Sequence, residues 1–107
     1  MADFDVKQTM QALPSHFNAE NAKGVSGIVQ CIFSGDQASH WVIKIEGQEC
    51  KVEEGITPNP DLTLKADAEV GVKVLSGEMD SMRAYMLGKV KVFGDLSFGM
   101  KLTKLFD

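Results

Sequence analysis

No run of apolar residues in this chain of 107 approaches the roughly 20 needed to cross a bilayer as a helix. The opening Met1-Ala2-Asp3 supplies neither a basic n-region nor a following apolar h-region, so a cytoplasmic protein is expected. Cysteine is scarce. Cys31 and Cys50 are the only two, each inside an alternating apolar segment where a reduced thiol behaves as a small buried hydrophobe, which argues against a disulfide framework. His16 and His40 are the only histidines; they lie on different predicted elements without cysteine or carboxylate at metal-ligand spacing, so no metal is expected. Neither histidine adjoins a serine or cysteine in a nucleophile motif. Gly24-Val25-Ser26-Gly27 lacks the glycine spacing and the following helix of a phosphate loop, so a nucleotide cofactor has no support. Basic residues are outnumbered, 11 to 15, giving a formal charge of −4, and attraction to a phosphate backbone cannot drive binding to nucleic acid.

What is present is ordinary globular composition, 44% hydrophobic and 24% charged, at a length suited to one core, so residues 1–107 are expected to form a single domain. Val6, Met10, Leu13 and Phe17 recur at steps of four, three and four and predict an amphipathic helix from about Asp5 to Phe17, with Pro14 set to kink or shorten it. From Val25 to Phe33 the alternation is that of a strand, with Gly27, Val29, Cys31 and Phe33 on one face. Ser34-Gly35-Asp36 is turn chemistry, after which Trp41, Ile43 and Ile45 alternate with Val42, Lys44 and Glu46. Gly47-Gln48 reverses the chain into a third strand with Cys50 and Val52 inward and Glu49, Lys51 and Glu53 outward, and the outer sheet face is expected to be solvated. Glu46, Glu49, Glu53 and Glu54 belong to that wet surface and need no catalytic or metal role.

Pro58-Asn59-Pro60 marks a loop, and Leu62, Leu64 and Ala66 alternate as a fourth strand. Asp67 caps a helix through Val70, Val74 and Leu75 that stops at Ser76-Gly77; a second helix carries Met79, Met82, Ala84 or Tyr85, and Met86 before Gly88. Val90 and Val92 alternate with Lys89 and Lys91 in a last strand, Gly94 permits a sharp turn, and Asp95 caps a helix bearing Leu96, Met100, Leu102 and Leu105. The order of elements is α+β, with helices covering one face of a sheet.

Two features of the last third bear on function. Four of the six methionines, Met79, Met82, Met86 and Met100, gather there. Flexible thioethers fill irregular core gaps or line adaptable apolar pockets, and composition alone favours core. From Arg83 onward there are five basic residues and two acidic, whereas the rest holds six and thirteen, so this end is locally positive and suited to transient contact with an anionic membrane surface.

Gly88-Lys89-Val90-Lys91-Val92-Phe93-Gly94-Asp95, followed by Met100-Lys101-Leu102 and Leu105, resembles the sterol carrier protein type-2 family of nonspecific lipid-transfer domains. Trp41-Val42-Ile43, Pro60-Asp61-Leu62-Thr63-Leu64 before Asp67-Ala68-Glu69, and Leu75-Ser76-Gly77-Glu78-Met79-Asp80 extend the likeness over nearly the whole chain from Phe17. The resemblance implies a five-stranded, largely antiparallel sheet with helices on one face enclosing an apolar tunnel for acyl chains, sterols or phospholipids. Carried over to this sequence, it implies ligand contacts at Phe33, Trp41, Ile43, Val52, Met82, Tyr85, Met86, Val92, Leu96 and Met100. The ending Leu105-Phe106-Asp107 lacks the small-basic-leucine tripeptide of peroxisomal members, which fits a stand-alone microbial type and makes a fatty acyl chain or acyl-CoA the expected ligand ahead of sterol.

The expected function is therefore non-catalytic lipid binding and intracellular transfer, without cofactor. Two other readings compete. An accessory module would present its lipid to an acyl-processing enzyme, with homodimerisation as a variant. A small isomerase or cyclase would need a buried carboxylate of raised pKa, and the inner faces carry almost no ionisable residue.

Overall fold

The apolar stripe that starts at Val6 runs as an α-helix only as far as Ala12 in the computed structural model, which describes residues 5–106. This helix, α1 (Val6–Ala12), is capped by Asp5, whose Oδ1 accepts the Gln8 backbone N–H at 3.1 Å. Pro14 has no N–H to continue the α-helical ladder, and the chain tightens into a 3-10 turn over Leu13–His16. The helix expected to reach Phe17 is cut short for that reason. Phe17 instead forms an isolated antiparallel bridge with Phe106, their ring centroids 5.8 Å apart.

Three antiparallel strands follow, β1 (Gly27–Ser34), β2 (Ser39–Glu46) and β3 (Glu49–Glu54). The turn between β2 and β3 puts both Gly47 (φ 58) and Gln48 (φ 62) in the left-handed region, the geometry of a tight two-residue hairpin. β1 begins two residues later than its sequence pattern, after a turn that closes through Gly24. β4 (Leu62–Asp67) runs parallel to β1, and β5 (Val90–Gly94) pairs antiparallel with β4, giving the order β3-β2-β1-β4-β5. Aspartates open all three remaining helices. Asp67 caps α2 (Ala68–Leu75), Asp80 caps α3 (Ser81–Met86) and Asp95 caps α4 (Leu96–Leu102). The fold is the expected α+β arrangement, a five-stranded, largely antiparallel sheet with one parallel pair.

The sheet's inner face is covered unequally. Trp41, Ile43 and Ile45 of β2 and Val29, Cys31 and Phe33 of β1 are buried together with Met10 and Leu13. α2 sets Ala68, Val72 and Leu75 into the same core. Over β4 and β5 the cover comes from α3 and α4, which reach the core through fewer side chains: Ala84 from α3, Phe98 and Leu102 from α4. Phe98 packs its ring against Gly27, where an added Cβ would fall 2.6 Å from the ring, so the absence of a side chain there lets α4 approach the start of β1. Beyond α4, Leu105 is fully buried and its carbonyl accepts the Asn18 N–H at 2.6 Å.

The outer face is not solvated throughout, which corrects the sequence expectation. Gln30 and Val42 point outward yet are buried, because the segment between β3 and β4 folds back across the middle of that face. Gln30 fastens it: Nε2 donates to the carbonyls of Trp41 and Gly55, each at 3.1 Å, and Oε1 accepts the Thr57 N–H at 2.7 Å. A buried amide with donors and acceptors matched is cheap to keep and expensive to delete. Gln30→Leu should therefore lower the unfolding free energy by about 2 kcal/mol, read as a lower urea midpoint at unchanged slope.

Candidate functional site

Between β4–β5 and the helices α3 and α4 the two layers do not close, and an apolar groove of about 200 Å³ remains. Its floor is Leu62 and Leu64 of β4 with Val90 and Val92 of β5, and Leu64 and Val92 are register partners across the two strands. Val74 and Leu75 of α2 close one end. α3 supplies Ser81, Met82 and Tyr85, and α4 supplies Leu96, Gly99, Met100 and Leu102, with Thr103 just beyond. On α4 the lining positions follow steps of three and one from Leu96 to Met100, a single helical face. Gly99 keeps that face low, and a Cβ added there would only touch the Leu62 methyls at 3.5 Å.

The groove opens to water along its upper edge. Met82 is 50% exposed, Tyr85 47%, Leu96 51% and Met100 62%, although all four line it. Among the described residues, no carboxylate, imidazole, thiol or ammonium group lines the groove; its polar atoms are the hydroxyls of Ser81, Tyr85 and Thr103. Such a surface offers van der Waals contact and release of water, with a few hydroxyls to meet a polar end.

The structure brings together five of the ten residues expected to touch ligand: Met82, Tyr85, Val92, Leu96 and Met100. Phe33, Trp41 and Ile43 lie on the same inner face but in the closed core, and Val52 packs half-buried beside it. The Trp41 indole N–H is satisfied locally by Ser39 Oγ at 2.8 Å. Met86 points away and is 77% exposed, outside the lining. Leu62, Leu64 and Val90 were missed as site residues. Their alternation was visible, but the pairing of β4 with β5, which makes them a common floor, was not.

Neither cysteine is poised for chemistry. Burial pushes the Cys31 thiol up to about 12 and that of half-buried Cys50 up to about 11, so both stay protonated at neutral pH. Both native values lie above the thiol's ordinary 9.0, so the folded state holds the proton more tightly than the unfolded chain. The resulting stability is complete below pH 9.0 and is lost as pH rises toward the folded values. The urea midpoint should fall above that pH, and Cys31→Val should flatten the fall relative to the unmodified protein.

A mixed sheet with helices on one face only, and between them an apolar groove with no carboxylate, imidazole, thiol or ammonium group among the described residues, defines a small α+β domain built around an apolar cavity. The chain belongs to the SCP-2 sterol transfer family, whose model matches residues 6–107. Hydroxysteroid dehydrogenase-like protein 2 of Xenopus laevis is 28% identical over 101 residues, covering 94% of this chain and 24% of that protein. The chain thus spans about a quarter of the length of that curated relative. A stereoselective inverting sec-alkylsulfatase from Pseudomonas sp. superposes with a TM-score of 0.83 at 18% identity, over 97% of this chain and 16% of that one. The palmitated sterol carrier protein 2-like 2 of Aedes aegypti, a structure determined in solution, gives 0.71 at 21% identity, over 97% and 93%.

Proposed function

We propose that the protein binds and transfers a fatty acyl chain, free or as its CoA thioester, without chemical change, holding the chain in the groove between β4–β5 and α3–α4. The observation that carries this reading is a groove lined by apolar side chains with a few hydroxyls and, among the described residues, no carboxylate, imidazole, thiol or ammonium group. Each methylene moved from water into such a site contributes about 0.8 kcal/mol, so an acyl chain supplies its own driving force. A charged head has no partner inside and belongs at the open edge. Membership of a sterol transfer family and the likeness to a palmitated protein support the same class of ligand.

A pocket of about 200 Å³ is smaller than the 300–1,000 Å³ or so usual for whole small-molecule sites, so the groove must widen to enclose a long chain. Its walls suit that. Met82 and Met100 are flexible and half or more exposed, and α3 is only six residues long with one buried side chain, Ala84.

A second reading has its own support. The region matched in the curated relative is a quarter of that longer protein, and in the sulfatase about a sixth. On that reading the groove presents an apolar substrate to a catalytic partner. Acyl-CoA incubated with this chain alone should be recovered intact under either reading, and protein-dependent hydrolysis or isomerisation would overturn both.

Occupancy of the groove is tested through Trp41, the only tryptophan, which shares the inner sheet face. A polyene fatty acid should accept energy from Trp41 saturably, and palmitate should reverse the signal. Gly99→Phe places a ring where the structure leaves space, at a position where a Cβ meets only ordinary contact. It should fold, by circular dichroism, and weaken binding at least about tenfold by occupying the site. Glu53→Gln, on the exposed outer face, should bind as the unmodified protein does. Saturable binding that survives Gly99→Phe unchanged would remove the groove as the site.

A further inference from the structure

Two residues at the rim of the groove carry a sulfur. Met82 of α3 and Met100 of α4 both line it, while standing 50% and 62% exposed. Carriage of a plain acyl chain asks only for apolar bulk there, which leucine supplies as well. Beyond flexibility, a thioether adds a nucleophilic sulfur that a peroxide converts to the sulfoxide. The other described methionines are placed differently: Met10 is fully buried, Met79 packs half-buried against the core, and Met86 is 77% exposed but outside the lining. The hydroxyls in the groove raise the same question. Ser81 and Tyr85 stand one helical turn apart on α3, on either side of Met82 in the chain, and among the described residues neither side chain has a hydrogen-bond partner in the protein. The Thr103 hydroxyl, by contrast, is committed to the Met100 carbonyl at 2.8 Å. An unsubstituted chain gives the two free hydroxyls nothing to bind. A chain with a polar group part-way along it does, and that group needs such partners if it is to enter an apolar groove.

We infer that the groove takes acyl chains bearing a hydroperoxide and reduces them to the alcohol, with the thioether of Met82 or Met100 as the reductant. This rests on the proposed carriage of acyl chains: unsaturated chains oxidise in air to hydroperoxides, whose polar group lies along the chain rather than at its head. The Ser81 and Tyr85 hydroxyls hydrogen-bond the peroxide, and a methionine sulfur attacks its terminal oxygen. The S–O bond forms as the O–O bond breaks. Sulfur supplies the two electrons, and the proton on the terminal oxygen passes to the departing alkoxide oxygen through a neighbouring hydroxyl. One hydroxy chain and one methionine sulfoxide result, and no other reactant is consumed. Thioethers react slowly with dilute peroxide, and confinement of both groups in one groove raises their effective concentration. Each methionine serves once, until a methionine sulfoxide reductase restores it, and the exposure of both at the rim leaves the sulfoxide within reach of such an enzyme.

The test sets two peroxides against the full chain and maps the sulfoxides by mass spectrometry. Hydrogen peroxide reaches sulfur from water and should oxidise Met86 at least as fast as Met82 and Met100, following exposure. Linoleic acid hydroperoxide should invert that order, oxidising Met82 or Met100 at least about tenfold faster than Met86 and yielding hydroxylinoleic acid mole for mole with sulfoxide. Excess palmitate should suppress this reaction. At concentrations that saturate each protein, Met86→Leu should reduce the lipid hydroperoxide at the unmodified rate, whereas Met82→Leu with Met100→Leu, shown to be folded by circular dichroism, should lose at least about tenfold. Tyr85→Phe with Ser81→Ala should slow oxygen transfer by a similar factor, about tenfold, through loss of the proton relay. Oxidation of Met86 ahead of Met82 and Met100 by the lipid hydroperoxide would overturn the inference and leave carriage standing. So would a hydroperoxide that competes with palmitate for the unmodified protein and is recovered unreduced. Absence of saturable binding by any acyl chain, oxidised or not, would remove the carriage reading and this one with it.

Discussion

Residue 61 is the point at which three strands and a helix are fastened together, and the groove exists because of where it is placed. The Asp61 backbone N–H donates to the Ile28 carbonyl, and its side-chain Oδ2 accepts the Ile28 N–H in return, both at 2.8 Å, which docks the start of β4 onto β1. Its own carbonyl accepts the Asp95 N–H at 2.8 Å, so the end of β5 and the cap of α4 hang from the same residue. The fit leaves no tolerance. Gly94 turns at φ 105, and a Cβ there would come 2.5 Å from the Asp61 carbonyl oxygen. Any other residue at 94 would be strained in dihedral and would push β5 away from β4. α4 therefore leaves the sheet at a fixed point and angle, and Phe98, seated on Gly27, completes its alignment.

From that fixed departure follows the difference between the two halves of the sheet. The half built on β1, β2 and β3 faces α1, α2 and the 3-10 turn, and large side chains such as Trp41, Met10 and Leu13 fill it without remainder. The half built on β4 and β5 faces two helices with few buried side chains, Ala84 from α3 with Phe98 and Leu102 from α4, and α4 has no side chain at Gly99 on its groove face. Their larger residues, Met82, Leu96 and Met100, stand at the rim. A closed core needs bulk pointing inward from both layers. Here the bulk is displaced to the edge, and the space it vacates is the groove. The same displacement explains why so many large apolar side chains are exposed at one end of an otherwise well-packed domain.

This division also explains what could be read in the sequence. Strand alternation and the caps at Asp67 and Asp95 are local signals, and they placed nearly every element within a few residues, because period and capping depend only on neighbours in the chain. Where local signals competed, Pro14 decided: its missing donor ended α1, and Phe17 found its partner in Phe106 at the far end of the chain. The site was half legible. Met82, Tyr85, Leu96 and Met100 could be marked only through the family resemblance, because methionines at helical spacing fit a filled core equally well. Alternation says that Trp41, Ile43 and Leu64 face inward, but not that Trp41 meets a filled core while Leu64 meets a gap. That distinction depends on strand order, and above all on β4 entering parallel between β1 and β5, a long-range pairing with no local mark. Gln30 shows the same limit on the outer face, where a polar residue at an outward position becomes buried only because a distant loop returns over it.

Carboxylate, imidazole, thiol and ammonium groups are missing from the groove lining among the described residues, although the fold had ample opportunity to place one there. Lys65 and Lys91 are register partners on β4 and β5, one residue away from the groove residues Leu64 and Val92, but strand alternation turns them to the opposite face. The cation of Lys65 rests 5.7 Å from the Phe93 ring on that side. Asp80 and Asp95 begin the two helices that wall the groove, but their carboxylates are turned to backbone N–H groups at the caps. At these four positions secondary structure directs the charge away from the groove. This arrangement keeps carboxylates and ammonium groups out of the groove lining, where Tyr85 brings a phenol hydroxyl. It retains a site whose affinity depends on how much apolar surface the guest can bury, and such a site discriminates weakly between chains that differ by a methylene or two. Breadth of ligand, on the carriage reading, is a consequence of the same apolar geometry.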